Sequence, residues 1–186
     1  DALQSAIDSG QADRWFLHIH MIEPHSPYVP PERYLRDLEG LQPIDADLAV
    51  KTDHYDVLGE WNLLSPADQE LTLEHLQTRY RGEISWTDEI VQRAMQEIDS
   101  RGLLDDALFV IWTDHGEQFF EHGQQTHAHD LYREENDGIA LFWARSIQPE
   151  AWTGPTAAID LAPTILRLYD IDLPAGITGT PLGEAP

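Results

Sequence analysis

Leu108-Phe109-Val110-Ile111-Trp112-Thr113-Asp114-His115-Gly116-Glu117 is the stretch whose residue types and spacing most directly offer chemistry. An apolar run of strand composition stops at Asp-His-Gly. That is how a buried strand brings two ligand side chains to the carboxyl edge of a sheet, where open α/β folds place their sites. Asp114 offers a hard anionic oxygen and His115 a borderline nitrogen, a pair suited to a divalent ion. Gly116 lets the backbone turn away at no steric cost. The chemistry suggested is metal-dependent hydrolysis.

Seven of the nine histidines fall within 18–25 and 115–129. His25 sits in Glu23-Pro24-His25-Ser26-Pro27-Tyr28-Val29-Pro30-Pro31, a rigid loop because proline fixes φ and removes donors. There it can donate a hydrogen bond to an anionic substrate oxygen; the plainer alternative is packing on Pro and Tyr28. His18 and His20 alternate along Trp15–Met21 and so face opposite sides of a strand. At least one reads as a core residue, and neither as catalytic. Glu121, His122, His127, His129 and Asp130 make a further cluster. If that stretch is extended, His127 and His129 share a side, one as a general acid and the other simply exposed. Glu117 reads as a turn or supporting carboxylate. Asp53-His54 has ligand-pair composition but follows no strand, and reads as part of a polar, irregular stretch.

The elements that must position these residues alternate in type. Trp15–Met21, Leu103–Trp112 and Ile139–Ala144 read as strands. Ser65-Pro66 opens a helix with Ser as N-cap and Pro at the first helical position. Apolar spacing from Ile84 through Val91, Ala94 and Ile98 is helical, and Gly102 closes it. Asp160 caps another helix through Leu161, Ile165 and Leu168, and residues 1–10 read as a helix end. Strand–helix alternation predicts an α/β fold with a largely parallel sheet flanked by helices. The 186 residues, 41% apolar, suffice for one domain. With 11 Lys and Arg against 34 Asp and Glu, the net charge is −23. Such a surface repels nucleic-acid phosphates, so nucleic acid is not an expected partner, and an anionic membrane is a poor one. With no cysteine, disulfides and thiolate metal sites are excluded.

Taken in order, several segments resemble the sulfatase family of the alkaline phosphatase superfamily. Residues 15–28, with Pro24-His25-Ser26-Pro27-Tyr28, are similar to the family's apolar strand and Pro-His-x-Pro-Tyr loop. Tyr80-Arg81-Gly82-Glu83-Ile84 is similar to the start of its long helix. Thr113-Asp114-His115-Gly116-Glu117, Glu121-His122-Gly123, His127 and Leu131-Tyr132-Arg133-Glu134-Glu135 form the closest match. Ile159–Leu166 resembles a helix near the end of the catalytic domain.

The resemblance implies an alkaline-phosphatase-like α/β/α sandwich and a hydrolase of sulfate esters. Asp114 and His115 would hold one divalent metal ion. Calcium is described in the family, whereas His115 tilts the choice toward Mn²⁺ or Zn²⁺. His25 and His127 would contact the transferred group or the leaving oxygen of a small sulfated or phosphorylated substrate, and the location would be extracytoplasmic. The family's nucleophile lies upstream of the Pro-His-x-Pro-Tyr segment, and no Ser or Thr here sits in a Cys/Ser-x-Pro-x-Arg context. Residues 1–186 are therefore expected to be the C-terminal segment of a single catalytic domain, incomplete at its N-terminal side. The upstream half is the expected partner, and the isolated chain is expected to be inactive and to bind metal weakly. The alternatives are a phosphodiesterase or phosphoglycerol transferase of the same superfamily, which an upstream membrane anchor would favour, and a non-catalytic anion-binding module.

Overall fold

The computed structural model describes residues 5, 8, 9, 14–36 and 57–183. Asp53-His54 and most of the helix expected over 1–10 lie outside them. The chain divides into two compact units, Asp1–Arg93 and Ala94–Pro186, and the boundary falls within one long helix.

That helix, α2, spans Pro66–Ser100 and follows a short α1 at Val57–Glu60. Its ends are those the sequence predicts. The Ser65 hydroxyl accepts the Asp68 N–H at 3.2 Å and donates to the Asp68 carboxylate at 2.7 Å, satisfying an N–H that has no partner within the helix. At the other end Gly102 has φ 68°, and the Leu103 N–H donates to the Ile98 carbonyl at 3.2 Å, a left-handed C-terminal stop.

In the first unit the Pro-rich loop docks on α2. Tyr28 is fully buried, its ring edge-on to Tyr80 at 5.3 Å. Gly82 is small for a reason: a Cβ there would lie 2.8 Å from Pro30 Cγ and 3.1 Å from the Tyr34 carbonyl oxygen. Trp15–Met21, expected to be a buried strand, enters no ladder among the described residues. Phe16 is 83% exposed, and Leu17 and Ile19 are also exposed. An apolar run becomes a buried strand only with neighbours on both faces, and the described residues of this unit supply none.

The second unit is built on two ladders. β1, Phe109–Trp112, pairs with β4, Ala140–Trp143, Phe109 opposite Trp143. β2, Gln118–Phe119, pairs with β3, Gln125–Thr126. Both of these ladders are antiparallel, whereas the expectation for the fold as a whole is a largely parallel sheet, and β2 and β3 were not expected as strands. A parallel return needs a crossover, usually a helix running back along the strand. Between β1 and β4 the chain holds only the β2–β3 hairpin and α3, the single turn Arg133–Asn136. The chain therefore comes back in the opposite direction. α4, Leu161–Leu168, begins after Asp160 as expected, but the Asp160 carboxylate accepts the Ala157 and Thr180 N–H groups, both at 2.8 Å. It thereby ties the C-terminal tail to the helix start.

Candidate active site

Asp114 and His115 follow β1 directly. Thr113 still belongs to the ladder, its N–H donating to the Ile139 carbonyl at 3.0 Å. The chain then leaves the sheet, and the Gly116 N–H donates to the Glu135 carbonyl at 2.7 Å. A Cβ on Gly116 would lie 2.1 Å from the Glu134 carbonyl oxygen. Close backbone approach, rather than a left-handed φ, is what requires glycine in Asp-His-Gly.

His115 Nδ1 lies 2.7 Å from the Gly116 carbonyl oxygen. A carbonyl only accepts, so Nδ1 carries the proton and Nε2 presents its lone pair. Fixing the tautomer through a backbone carbonyl is the usual support of a metal-ligating imidazole. Nε2 stands 3.7 Å from Asp114 Oδ1, a span that two metal bonds of about 2.1 Å each can bridge. The pair thus fits two positions of a divalent site. Among the described residues no three His, Asp or Glu side chains are grouped to hold an ion, so any further donors lie elsewhere.

His127 follows the β2–β3 hairpin. Its ring stacks on that of His115, 3.7 Å between centroids and 30° between planes. His127 Nδ1 lies 3.1 Å from Glu117 Oε1, and the Glu117 side chain is only 6% exposed. The backbone on either side is strained: Thr126 has φ 75° and Ala128 φ 70°. Left-handed conformations cost non-glycine residues about 1–3 kcal/mol each and persist only when their surroundings over-determine them. Here the surroundings include Glu135. This buried carboxylate accepts the His129 N–H at 3.0 Å, the Asp130 N–H at 3.3 Å and the Gln118 side-chain amide. Burial pushes its carboxyl up, but the N–H donors of His129 and Asp130, the Gln118 amide and the Ala128 N–H outweigh that and hold it below the usual range.

The structure therefore brings Asp114, His115 and His127 together. His115 and His127 line an open cleft of about 770 Å³ together with His129, Leu131 and Tyr132, and Asp114 lies outside that lining. His25 belongs to the first unit, exposed on its loop, with Nδ1 donating to the Ser26 carbonyl at 2.6 Å. Left-handed Ala128 breaks the extended run on which His127 and His129 were expected to share a side. His129 Nε2 instead lies 3.1 Å from the Gln125 carbonyl oxygen. His122 stacks on Tyr132 at 3.5 Å, and the exposed His18 and His20 have ring centroids 6.4 Å apart. Glu135 has no role predictable from its residue type alone. The available signal was its place in Leu131-Tyr132-Arg133-Glu134-Glu135, a few residues beyond His127.

A sulfatase family profile matches residues 1–171, and the chain belongs to the sulfatase family. It is 26% identical over 166 residues to a choline-sulfatase of Rhizobium meliloti (strain 1021), a match covering 86% of this chain and 32% of that protein. An arylsulfatase of Clostridium perfringens (strain 13 / Type A) is 26% identical over 111 residues, 58% of this chain and 23% of the relative. Among solved structures, a phosphonate monoester hydrolase from Silicibacter pomeroyi superposes with a TM-score of 0.72 at 25% identity, over 98% of this chain and 40% of that one. A protein solved with its substrate D-glucosamine-2-N,6-O-disulfate gives a TM-score of 0.58 at 17% identity, over 86% of this chain and 45% of that one. These likenesses give an alkaline-phosphatase-like α/β fold, and the chain spans under half of each of these proteins.

Proposed function

We propose that this chain carries one wall of the active site of a metal-dependent hydrolase of sulfate esters. The observation that carries the reading is the grouping of Asp114 and His127 around His115, Asp114 Oδ1 3.7 Å from its Nε2 and the His127 ring stacked on it, with the His115 tautomer set for a ligand. Asp114 and His115 would hold a divalent ion: calcium, manganese or zinc. A bound ion would stabilise the nucleophile and the charge that develops on the transferred group. His127, its Nδ1 donating to Glu117, offers Nε2 to an ester oxygen or to the departing oxygen. His25 is proposed to contact the anionic group on the strength of the family resemblance alone.

In this reading residues 1–186 are the C-terminal segment of a single catalytic domain whose upstream half supplies the nucleophile, and the isolated chain is inactive. The absence of cysteine and of any Ser or Thr in a Cys/Ser-x-Pro-x-Arg context supports this. So does the short span relative to the matched proteins. The substrate is a small anionic ester, and the location is extracytoplasmic. A second reading, hydrolysis of a phosphodiester or phosphonate ester, is favoured by the TM-score of 0.72 to a phosphonate monoester hydrolase.

The test uses the full-length protein with 4-nitrophenyl sulfate and 4-nitrophenyl phenylphosphonate as probes, and metal content measured by mass spectrometry. Asp114→Ala and His115→Ala should each lower turnover of the better probe by at least roughly 100-fold and deplete bound metal. Unchanged turnover and metal in either variant would sink the assignment. The preferred probe separates the two readings.

A further inference from the structure

The carboxylate beside His127 is not accounted for by the ligand roles above. The Glu117 side chain is only 6% exposed, and its Oε1 meets His127 Nδ1 at 3.1 Å. The opposing constraint is a face, the His115 ring stacked at 3.7 Å. A planar ring held by one face and one edge nitrogen has its remaining freedom removed, and the direction of Nε2 is set. The surrounding backbone gives the same indication. Thr126 and Ala128, on either side of His127, are themselves left-handed, a conformation non-glycine residues rarely adopt. The strained backbone, the stacked face and the buried carboxylate converge on one side chain.

We propose that Glu117 is a positioning residue: its buried carboxylate fixes the ring plane and tautomer of His127, so that Nε2 points to the ester oxygen. The inference rests on His127 meeting the ester, as set out above. What it adds is a demand on geometry. A carboxylate placed one methylene short should fail, and a neutral amide oxygen in the right place should suffice.

The experiment compares Glu117→Gln with Glu117→Asp in the full-length protein, on whichever 4-nitrophenyl probe turns over faster. Glu117→Gln keeps an acceptor at Nδ1, and kcat should stay within about threefold of the parent. Glu117→Asp keeps the charge but draws it back by about 1 Å, and kcat should fall about tenfold or more while KM stays within about twofold. The opposite order, Asp tolerated and Gln not, overturns positioning in favour of charge. A double-mutant cycle adds a readout that a packing role would not move. In a His127→Ala background, Glu117→Asp should cost nothing further, and full additivity overturns the pairing. Ring nitrogen NMR at pH 8 should show His127 protonated at Nδ1 in the parent and in Glu117→Gln; a mixed tautomer in the parent overturns the proposal. Should Glu117→Asp not fold, Glu117→Gln decides alone, since a loss of about tenfold there is incompatible with an acceptor role. If His127→Ala itself leaves turnover unchanged, the reading of the site fails and the positioning role with it. A collapse in His127→Ala with a tolerated Glu117→Asp removes the positioning role alone.

Discussion

The Pro-rich loop that carries His25 and the turn that carries His127 each rest on one buried glutamate and one glycine. In the first unit, the Val29 N–H donates to Glu83 Oε1 at 2.7 Å, and Gly82 admits Pro30. In the second, Glu135 accepts from the turn's backbone, and Gly116 admits the Glu134 carbonyl. The electrostatics differ in sign. Burial pushes the Glu83 carboxyl up, with one N–H opposing and Glu23 adding repulsion, and its Oε2 is buried with no partner among the described residues. Glu135 has several donors, and its carboxyl goes down. The number of N–H groups aimed at a buried carboxylate decides whether it stays charged. The turn that carries His127 is the one whose buried carboxyl is held below its usual range.

The sharpest way to break the comparison is through the two glycines. Gly116→Ala sets a Cβ 2.1 Å from a backbone oxygen, which side-chain rotation cannot relieve. Overpacking of this kind costs about 1–3 kcal/mol or more, and we expect Tm to fall by about 5 °C or more, with activity on the 4-nitrophenyl probe lost. Gly82→Ala meets Pro30 Cγ at 2.8 Å, but a helix-interior alanine regains about 1 kcal/mol over glycine. Its Tm should move by under about 3 °C. Equal shifts in thermal unfolding would show that the two loops are held with equal rigidity.

Glu135→Ala is the next largest. It leaves the His129 and Asp130 N–H groups without their carboxylate, and the strained backbone around His127 loses one of its restraints. A misplacement of about 1 Å in a reacting group lowers turnover by roughly 100-fold, and kcat/KM on the same probe should fall by that order. Amide exchange at Ala128, His129 and Asp130 should accelerate in parallel. Retained protection at those amides would show that the turn is held by something other than Glu135.

Much of this device was illegible in the sequence. The runs at 109–112 and 140–143 announced strands by composition alone, and Ser65-Pro66 and Gly102 marked the ends of α2, because capping is local chemistry. Asp114-His115 stood out because a strand end followed by a hard and a borderline donor is a local pattern too. Strand direction was not local: nothing in 109–112 or 140–143 encodes antiparallel pairing, which follows from what lies between them. Glu117 stood out as a supporting carboxylate by its place after Asp-His-Gly, but Glu83 and Glu135 were not separable among the 34 acidic residues. What distinguishes them is burial and the donors that surround them, and both are set by residues distant in sequence, such as Val29 for Glu83 and Gln118 for Glu135. The run at 15–21 shows the converse, an apolar stretch whose burial depends on neighbours the described residues do not supply.

The smallest expected effect tests the sign of the comparison most directly. An acid whose folded pKa lies above its unfolded value binds protons more tightly when native. The contribution of Glu83 to stability is therefore present in full below the unfolded value, about 4.3, and is lost as pH rises through its raised folded value. Glu135 runs the other way: its contribution is present above the unfolded value and is lost as pH falls through a folded value below it. Glu83→Gln keeps an oxygen for the Val29 N–H and removes the charge that burial disfavours. The variant should be as stable as the parent or slightly more so at pH 7, and should lose that advantage toward pH 4. Many other carboxylates titrate in this range, so the quantity to plot is the difference in Tm between variant and parent at each pH, in which their common contribution cancels. A difference that grows as pH falls would mean that Glu83 is held ionised as Glu135 is, and that the two loops rest on the same electrostatic footing.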